Sequence, residues 1–188
     1  ETDAVGIGND TADFTYSLTR TCSNLTVFFS GTSTGTITSW SYSFGDGSPP
    51  GIGQNVTHVY NSSGQFPVIL TTTNSNGCQD TVMKTITYLK VQAGFEPDTT
   101  YACSYPFTVN FNNTTVGTPP FVWAWDFSYE STDGFMNQST MEDPSYTYWY
   151  NDTFDVMLKV VDSYGCRDSI TLMDMGDSIW FLGANVSF

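Results

Sequence analysis

Apolar and polar side chains alternate along most of this chain with a period of two. Phe66, Val68 and Leu70 take every second position of one segment, and Phe154, Val156 and Leu158 do the same in another. Ile86 and Tyr88 continue the habit. That spacing puts the named side chains on one face of an extended strand. Thr, Val, Ile, Phe, Tyr and Trp fill these segments, and Gly, Pro, Asn and Ser punctuate them. No stretch carries apolar residues at helical spacing. The pattern predicts strands near 12–19, 24–30, 36–44, 54–60, 65–74 and 80–91, and again near 93–101, 106–112, 120–128, 144–149, 153–162 and 168–173. Many short strands separated by turn residues indicate an all-β sandwich architecture.

The two sets of strands carry matching words. Trp40-Ser-Tyr-Ser-Phe44-Gly-Asp-Gly47 is followed by His58-Val-Tyr60, then Gly64-Gln-Phe66-Pro-Val68, then Gly77-Cys78-Gln-Asp80. The later copy reads Trp123-Ala-Trp-Asp-Phe127, Tyr146-Thr-Tyr148, Phe154-Asp-Val156 and Gly165-Cys166-Arg-Asp168. The offset is 83 residues at the tryptophans and 88 at the Gly-Cys pairs, so five extra residues follow the second tryptophan. Such a period indicates tandem copies of one small domain, residues 1–91 and 92–188. Ile86 to Phe95 and Ile179 to Phe188 match at an offset of 93, so the chain stops where a further copy would begin. A longer array, or ends that pair with other copies, is expected. The alternation breaks at Asp174–Asp177, which frees Ile179, Trp180, Phe181 and Leu182 either to complete the second sandwich or to add to a neighbour's sheet edge.

Domains this small bury only about 60–65% of their unfolded surface and need a staple. The chain has four cysteines, Cys22, Cys78, Cys103 and Cys166, two in each copy. One bridge per copy, Cys22–Cys78 and Cys103–Cys166, is the simplest pairing; the other two would cross-link the copies. Each would close a loop of roughly 60 residues, worth about 4 kcal/mol in the chain-entropy model. Trp40 and Trp123 are large enough to fill the space between two sheets beside such a bridge. Disulfides imply an oxidising compartment. Zinc is a poor rival, since no Cys-x-x-Cys occurs and His58 is the single histidine.

Charge narrows the partners. Five Lys+Arg stand against 19 Asp+Glu, a formal charge of −14 with no basic stripe, so nucleic acid and anionic membrane surfaces are poor partners and neither is expected. No apolar run has the length of a membrane span, so direct insertion is not expected. The polar start at Glu1 is expected of a processed, exported chain.

Asparagine context adds a modification. Of 12 Asn, nine begin Asn-x-Ser/Thr: Asn9, Asn24, Asn55, Asn61, Asn112, Asn113, Asn137, Asn151 and Asn185. Roughly three would arise by chance at this Ser/Thr content, so the excess predicts N-glycans, with one of the overlapping Asn112 and Asn113 used, taken here as Asn113. Asp10-Thr, Asp80-Thr, Asp168-Ser and Asp177-Ser offer a competing O-linked pattern.

Reactive chemistry has little to work with. His58 alone could serve a Ser-His-Asp triad, yet the second copy has Tyr146 there. Glu142 with Asp143, or Asp152 with Asp155, are carboxylate pairs without a deep cleft to serve. Asp162, Asp168, Asp174 and Asp177 form an acidic group that offers calcium oxygen ligands, without EF-hand spacing. Tyr146, Tyr148, Trp149 and Tyr150 are too close together all to face inward. Trp149 is the one that alternation turns outward, toward a sugar or a protein neighbour.

Trp-x-x-x-Phe-Gly-Asp-Gly, His-x-Tyr and Gly-x-Phe-x-Val-x-Leu together resemble the polycystic-kidney-disease-type (PKD) repeat. The resemblance is complete in the first copy. In the second, Ser128-Tyr129-Glu130 replaces Gly-Asp-Gly and a longer loop, about 128–143, is expected. The resemblance implies two tandem immunoglobulin-like sandwiches and an extracellular or cell-surface location. It implies a noncatalytic spacer, adhesive stalk or filament subunit, partnered by other copies, further repeats or surface glycans. The alternative is a carbohydrate- or protein-binding accessory region of a secreted hydrolase.

Overall fold

The computed structural model describes residues 11–100, 104–130, 132–150, 152–172 and 179–180. Every regular element among them is a strand. The chain divides into two compact units, Glu1–Leu89 and Lys90–Phe188.

Unit 1 has seven strands: β1 (Ala12–Arg20), β2 (Leu25–Ser33), β3 (Ile37–Ser43), β4 (Gly51–Ile52), β5 (Asn55–Tyr60), β6 (Gly64–Asn74) and β7 (Gln79–Tyr88). They form two antiparallel sheets, ordered β1-β2-β5 and β4-β3-β6-β7. The expected alternation is literal in β6, where Phe66, Val68, Leu70 and Thr72 are buried and the residues between them are not. The inner faces meet in an aromatic centre: the Phe14, Phe29 and Tyr42 rings lie 5.7–5.8 Å apart in pairs, mostly edge to face. Such pairs add about 0.5–1.5 kcal/mol each beyond area burial.

Unit 2 repeats the plan with shorter strands: β8 (Phe95–Pro97), β9 (Phe107–Asn113), β10 (Val122–Asp126), β11 (Ser145–Tyr148), β12 (Thr153–Phe154), β13 (Val156–Val161), β14 (Arg167–Leu172) and β15 (Ile179–Trp180). Their sheets are β8-β9-β11, β10-β13-β14 and β12-β15. The long strand β6 of unit 1 is split here into β12 and β13, because the Asp155 carbonyl accepts Tyr129 N–H instead of joining a ladder (2.9 Å). The β7 counterpart is split too, yet its register survives. In unit 1, Val68 faces Lys84 and Phe66 faces Ile86; in unit 2, Val156 faces Leu172 and Phe154 faces Ile179. An insertion therefore sits between Leu172 and Ile179 without slipping the hydrophobic phase. The backbone of Ile179–Trp180 is thus taken up by its own unit, which corrects the strand-donation reading for these two residues. Phe181 and Leu182 lie outside the described residues.

The tryptophans correct a second expectation. The residue at the centre of unit 2 is Trp125, fully buried, and its counterpart in unit 1 is Tyr42. Trp40 and Trp123 are only partly buried and pack at the margin of each core. All four lie on inward-facing positions of β3 or β10; depth within the sandwich, not facing, separates them. Trp125 sits within 5.0 Å of the Phe95 ring and 5.8 Å of the Phe111 ring. Its indole N–H is satisfied by the Met141 carbonyl at 2.8 Å.

The Gly-Cys-x-Asp words also have a mechanical job. Gly77 (φ 81°) and Gly165 (φ 77°) occupy the left-handed region that closes the β6–β7 and β13–β14 turns. The aspartate two residues after each cysteine then reaches across to the entering strand. Asp80 accepts the Ala12 backbone N–H at 2.7 Å, and Asp168 accepts that of Ala93 at 2.8 Å. Each carboxylate pins the start of its unit against its last hairpin.

Removing the Trp125 side chain leaves the largest void and an orphaned carbonyl. Trp125→Ala is expected to lower the stability of unit 2 by about 3–5 kcal/mol in urea titration, with Trp123→Ala costing less.

Candidate functional site

The Phe44-Gly-Asp-Gly47 turn gathers the most chemistry in unit 1. Gly45 has φ +77°, and a Cβ there would lie 2.7 Å from the Pro67 carbonyl oxygen, so only glycine fits. The turn aims the Asp46 carboxylate at three donors. Ser48 Oγ donates to Oδ1 at 2.6 Å, Ser48 N–H donates at 3.1 Å, and His58 Nε2 lies 2.7 Å from Oδ2. Desolvation pushes Asp46 upward, but the Ser48 hydroxyl, His58 and the Ser48 amide outweigh it and hold the carboxyl at about 2.

Serine, histidine and aspartate do meet here, but in an order that cannot catalyse. The carboxylate is in the middle. The Ser48 hydroxyl spends its proton on Asp46 and has no imidazole beside it to act as a base. The His58 ring is stacked flat on Phe44, 3.9 Å between centroids and 4° between planes. It is a packing group with one hydrogen bond.

Unit 2 preserves the packing and discards the imidazole. Tyr146 takes the place of His58 and stacks on Phe127 at 4.6 Å. A second contact is common to both units. Tyr60 Oη donates to the Phe44 carbonyl at 2.9 Å, and Tyr148 Oη donates to the Phe127 carbonyl at 3.1 Å. Burial raises both phenols well above the usual tyrosine range, with Asp46 adding to it at Tyr60, and Tyr146 and Asp126 at Tyr148. The Gly-Asp-Gly turn is replaced by the longer loop expected from sequence. Asp126, fully buried, accepts Ser128 N–H at 3.1 Å and Met136 N–H at 2.7 Å. Gln138 accepts Phe127 N–H at 2.6 Å. Met136 on Asp126 and Phe127 on Gln138 are contacts ten and eleven residues apart, which no local motif announces.

Three further carboxylates are engaged in the same way. Asp162 accepts Tyr164 and Cys166 N–H at 2.9 and 3.0 Å, Asp143 accepts Asn113 N–H at 2.8 Å, and Asp152 accepts Thr153 N–H at 2.9 Å. Asp162 and Asp168 each accept backbone N–H groups, and Asp174 and Asp177, the other two members of the acidic group, lie outside the described residues. Among the described residues, no three His, Cys, Asp or Glu side chains are grouped to hold a metal.

The aromatic run divides by depth. Tyr148 is buried and Tyr146 half-buried, while Trp149 is 70% exposed and Tyr150 62% exposed. Trp149 offers a free indole face, with Tyr150 beside it leaning toward the Phe154 ring at 5.7 Å.

The cysteines depart from the simplest pairing. Cys22 and Cys166 are disulfide-bonded, whereas Cys78 is a free, exposed thiol. Cys103 lies outside the described residues. A Cys22–Cys78 bridge is ruled out by the strand order. Cys22 follows β1, where Tyr88 Oη donates to the Thr21 carbonyl (3.3 Å) and Arg20 to that of Leu89, so it sits beside the C-terminal end of β7. Cys78 sits at the N-terminal end of β7. Ten residues of strand separate the two poles by about 30 Å at roughly 3.3 Å per residue, whereas bridged Cα atoms lie within about 7 Å.

Of the sequons within the described residues, Asn55, Asn61, Asn112 and Asn137 are exposed and Asn24 is half-buried. Asn113 is a poor acceptor: its Nδ2, the atom that would carry a glycan, is buried, and its Oδ1 accepts Thr115 N–H at 2.8 Å. Asn112 is the exposed member of that overlapping pair. Asn9, Asn151 and Asn185 lie outside the described residues.

The PKD domain family model matches residues 10–88. Among solved structures, the fibronectin(III)-like modules of Clostridium thermocellum CbhA are similar over 93% of this chain and 97% of theirs, at 8% identity and a TM-score of 0.34. No curated protein matches the chain.

Because the Asp46 carboxyl lies at about 2 when folded, against its ordinary 3.8, its contribution is full above about pH 4 and disappears as pH falls through about 2. Asp46→Ala should therefore cost unit 1 about 1 kcal/mol at pH 7, after allowance for solvent screening, and nothing near pH 2. Urea titrations of both proteins from pH 7 to pH 2 measure the convergence.

Proposed function

We propose that the chain, whose residues 10–88 match the PKD domain family model, is a noncatalytic, glycosylated structural module of an extracellular protein, a spacer or stalk built of PKD-type sandwiches. PKD domains are generally noncatalytic and typical of extracellular proteins. Among the described residues, no helix is long and apolar enough to cross a membrane. One observation carries the reading. Between the two units the aromatic stack and the phenol-to-carbonyl bond are kept, while the imidazole of His58 is exchanged for the phenol of Tyr146. What is retained is packing; what is discarded is the imidazole.

The glycan part of the proposal rests on the number of sequons and on the exposure of Asn55, Asn61, Asn112 and Asn137. Intact-mass measurement of the native protein is expected to show added hexose-containing mass, with peptide mapping assigning it to these asparagines and leaving Asn113 bare. An unmodified mass removes that part. Negative-stain microscopy is expected to show rods or filaments.

A second reading is favoured by one feature, the exposed indole of Trp149 next to Tyr150. An exposed aromatic face stacks on a sugar ring, as an accessory module of a secreted hydrolase requires. Trp149→Ala should abolish retention on the recognised polysaccharide while leaving the melting temperature within a degree or two. Equal retention of both proteins removes this reading.

A further inference from the structure

We propose that β1 of unit 1 is a self-pairing edge: two copies of this chain join through their β1 strands, antiparallel about a two-fold axis at Ser17, with Tyr16 of each copy opposite Leu18 of the other. This names a partner for the structural-module reading and rests on it.

β1 is the outer strand of the β1-β2-β5 sheet. Alternate residues of such a strand turn both backbone groups away from the ladder. Ala12 and Phe14 belong to that outward set: Asp80 takes the Ala12 N–H, Asp13 takes the Phe14 N–H, and Lys84 donates to the Phe14 carbonyl. Tyr16 and Leu18 continue the set, and their N–H and C=O groups have no hydrogen-bond partner among the described residues. Their side chains are stranded as well. Both project from the inner face, across from the buried Phe29 and Val27, yet they are 43% and 49% exposed.

Unit 2 shows a closed version of the same edge. Asp80 on Ala12 and Asp168 on Ala93 align the two entering strands, so Thr15, Tyr16 and Ser17 correspond to Glu96, Pro97 and Asp98. β8 ends at Pro97, which has no N–H to offer, and a carboxylate flanks it on each side. β1 runs for nine residues in unbroken register, and from Thr15 to Thr19 it has no charge, no proline and no glycine. The devices that blunt β8 are missing from β1.

A second copy is the occupant that fits. Two chains of formal charge −14 repel each other, and this edge is a neutral stretch where they can approach. No sequon falls within β1, whereas the opposite edge of the sheet, β5, opens on the exposed sequon Asn55. The stretch is also complementary to itself. With Ser17 on the axis, Tyr16 and Leu18 of one copy exchange N–H···O=C bonds with Leu18 and Tyr16 of the other, and phenol ring and leucine meet side by side on the inner face. Lys84 on the Phe14 carbonyl and Arg20 on that of Leu89 confine the pairing to this central stretch. A contact this short buries less than the roughly 1,200 Å² of a standard interface, so the dimer is reversible and concentration-dependent.

The test uses the whole chain. Sedimentation equilibrium over rising concentration is expected to show monomer and dimer in exchange. Leu18→Lys, which puts a charge on the edge, is expected to leave only monomer, with an unchanged circular dichroism spectrum. Cysteine cross-linking under mild oxidation, in a Cys78→Ser background, reads the register. Opposed residues of a non-hydrogen-bonded pair lie about 4.5 Å apart at Cα, within disulfide reach. Ser17→Cys should therefore give a covalent dimer on non-reducing electrophoresis. Thr15→Cys alone should not, whereas Thr15→Cys mixed with Thr19→Cys should. The proposal is overturned if the chain stays monomeric, if Leu18→Lys dimerises as the parent does, or if Thr15→Cys cross-links to itself as readily as Ser17→Cys. Each of those results leaves the structural-module reading standing; that reading fails separately if microscopy and intact mass show neither rods nor glycans.

Discussion

A single hydrogen bond, made once per unit, organises everything around it. The phenol of Tyr60 or Tyr148 donates to the carbonyl of Phe44 or Phe127, the last inward-facing residue before the chain leaves its sheet. That carbonyl is buried between layers and has no ladder partner, so leaving it unmade would cost about 1–3 kcal/mol. The bond ties β5 to the end of β3, and β11 to the end of β10, across the gap between sheets. Once it is fixed, the phenylalanine ring has one place to lie, and the ring two residues before the tyrosine, His58 or Tyr146, stacks on it. The next loop is then free to vary. Unit 1 closes it with glycines and the Asp46 hub; unit 2 closes it with Asp126 and Gln138 holding backbone amides.

This explains how two segments with few shared residues hold one fold. Stacking an aromatic ring on phenylalanine requires a flat ring and little else, so imidazole and phenol are exchangeable. The carboxylates follow the same economy. Asp46, Asp80, Asp126, Asp162 and Asp168 each accept N–H groups or a hydroxyl that the turns would otherwise leave unpaired. A chain with a formal charge of −14 thus turns part of its acidity into turn and strand anchors.

Much of the fold was legible in the sequence because period-two alternation is a local property. Phe66, Val68 and Leu70 announce a strand without knowledge of any partner, and the observed β6 begins within one residue of the expected bound. Depth was not legible. Trp40 and Tyr42 share a face, and only the curvature of the packed layers decides which is central. The pairing of cysteines was not legible either, because proximity within the sequence of one repeat says nothing about which end of a strand each cysteine occupies. Cys22 and Cys78 lie in the turns of different hairpins, β1–β2 and β6–β7, and those turns are at opposite ends of the sandwich. The burial of Asn113 Nδ2 likewise depends on a neighbouring strand and on its own Asx turn, neither of which the acceptor motif encodes.

The polar placement of Cys22 and Cys78 has a mechanical corollary. A pull applied between these two residues acts along the strand axes of unit 1, and because their turns belong to different sheets the load passes between layers that no ladder joins. The packed inner faces are then slid past one another, rings such as Phe14 and Tyr42 included. A sandwich gripped at opposite ends in this way resists extension with its core, so its tensile strength is set by how the two layers interlock.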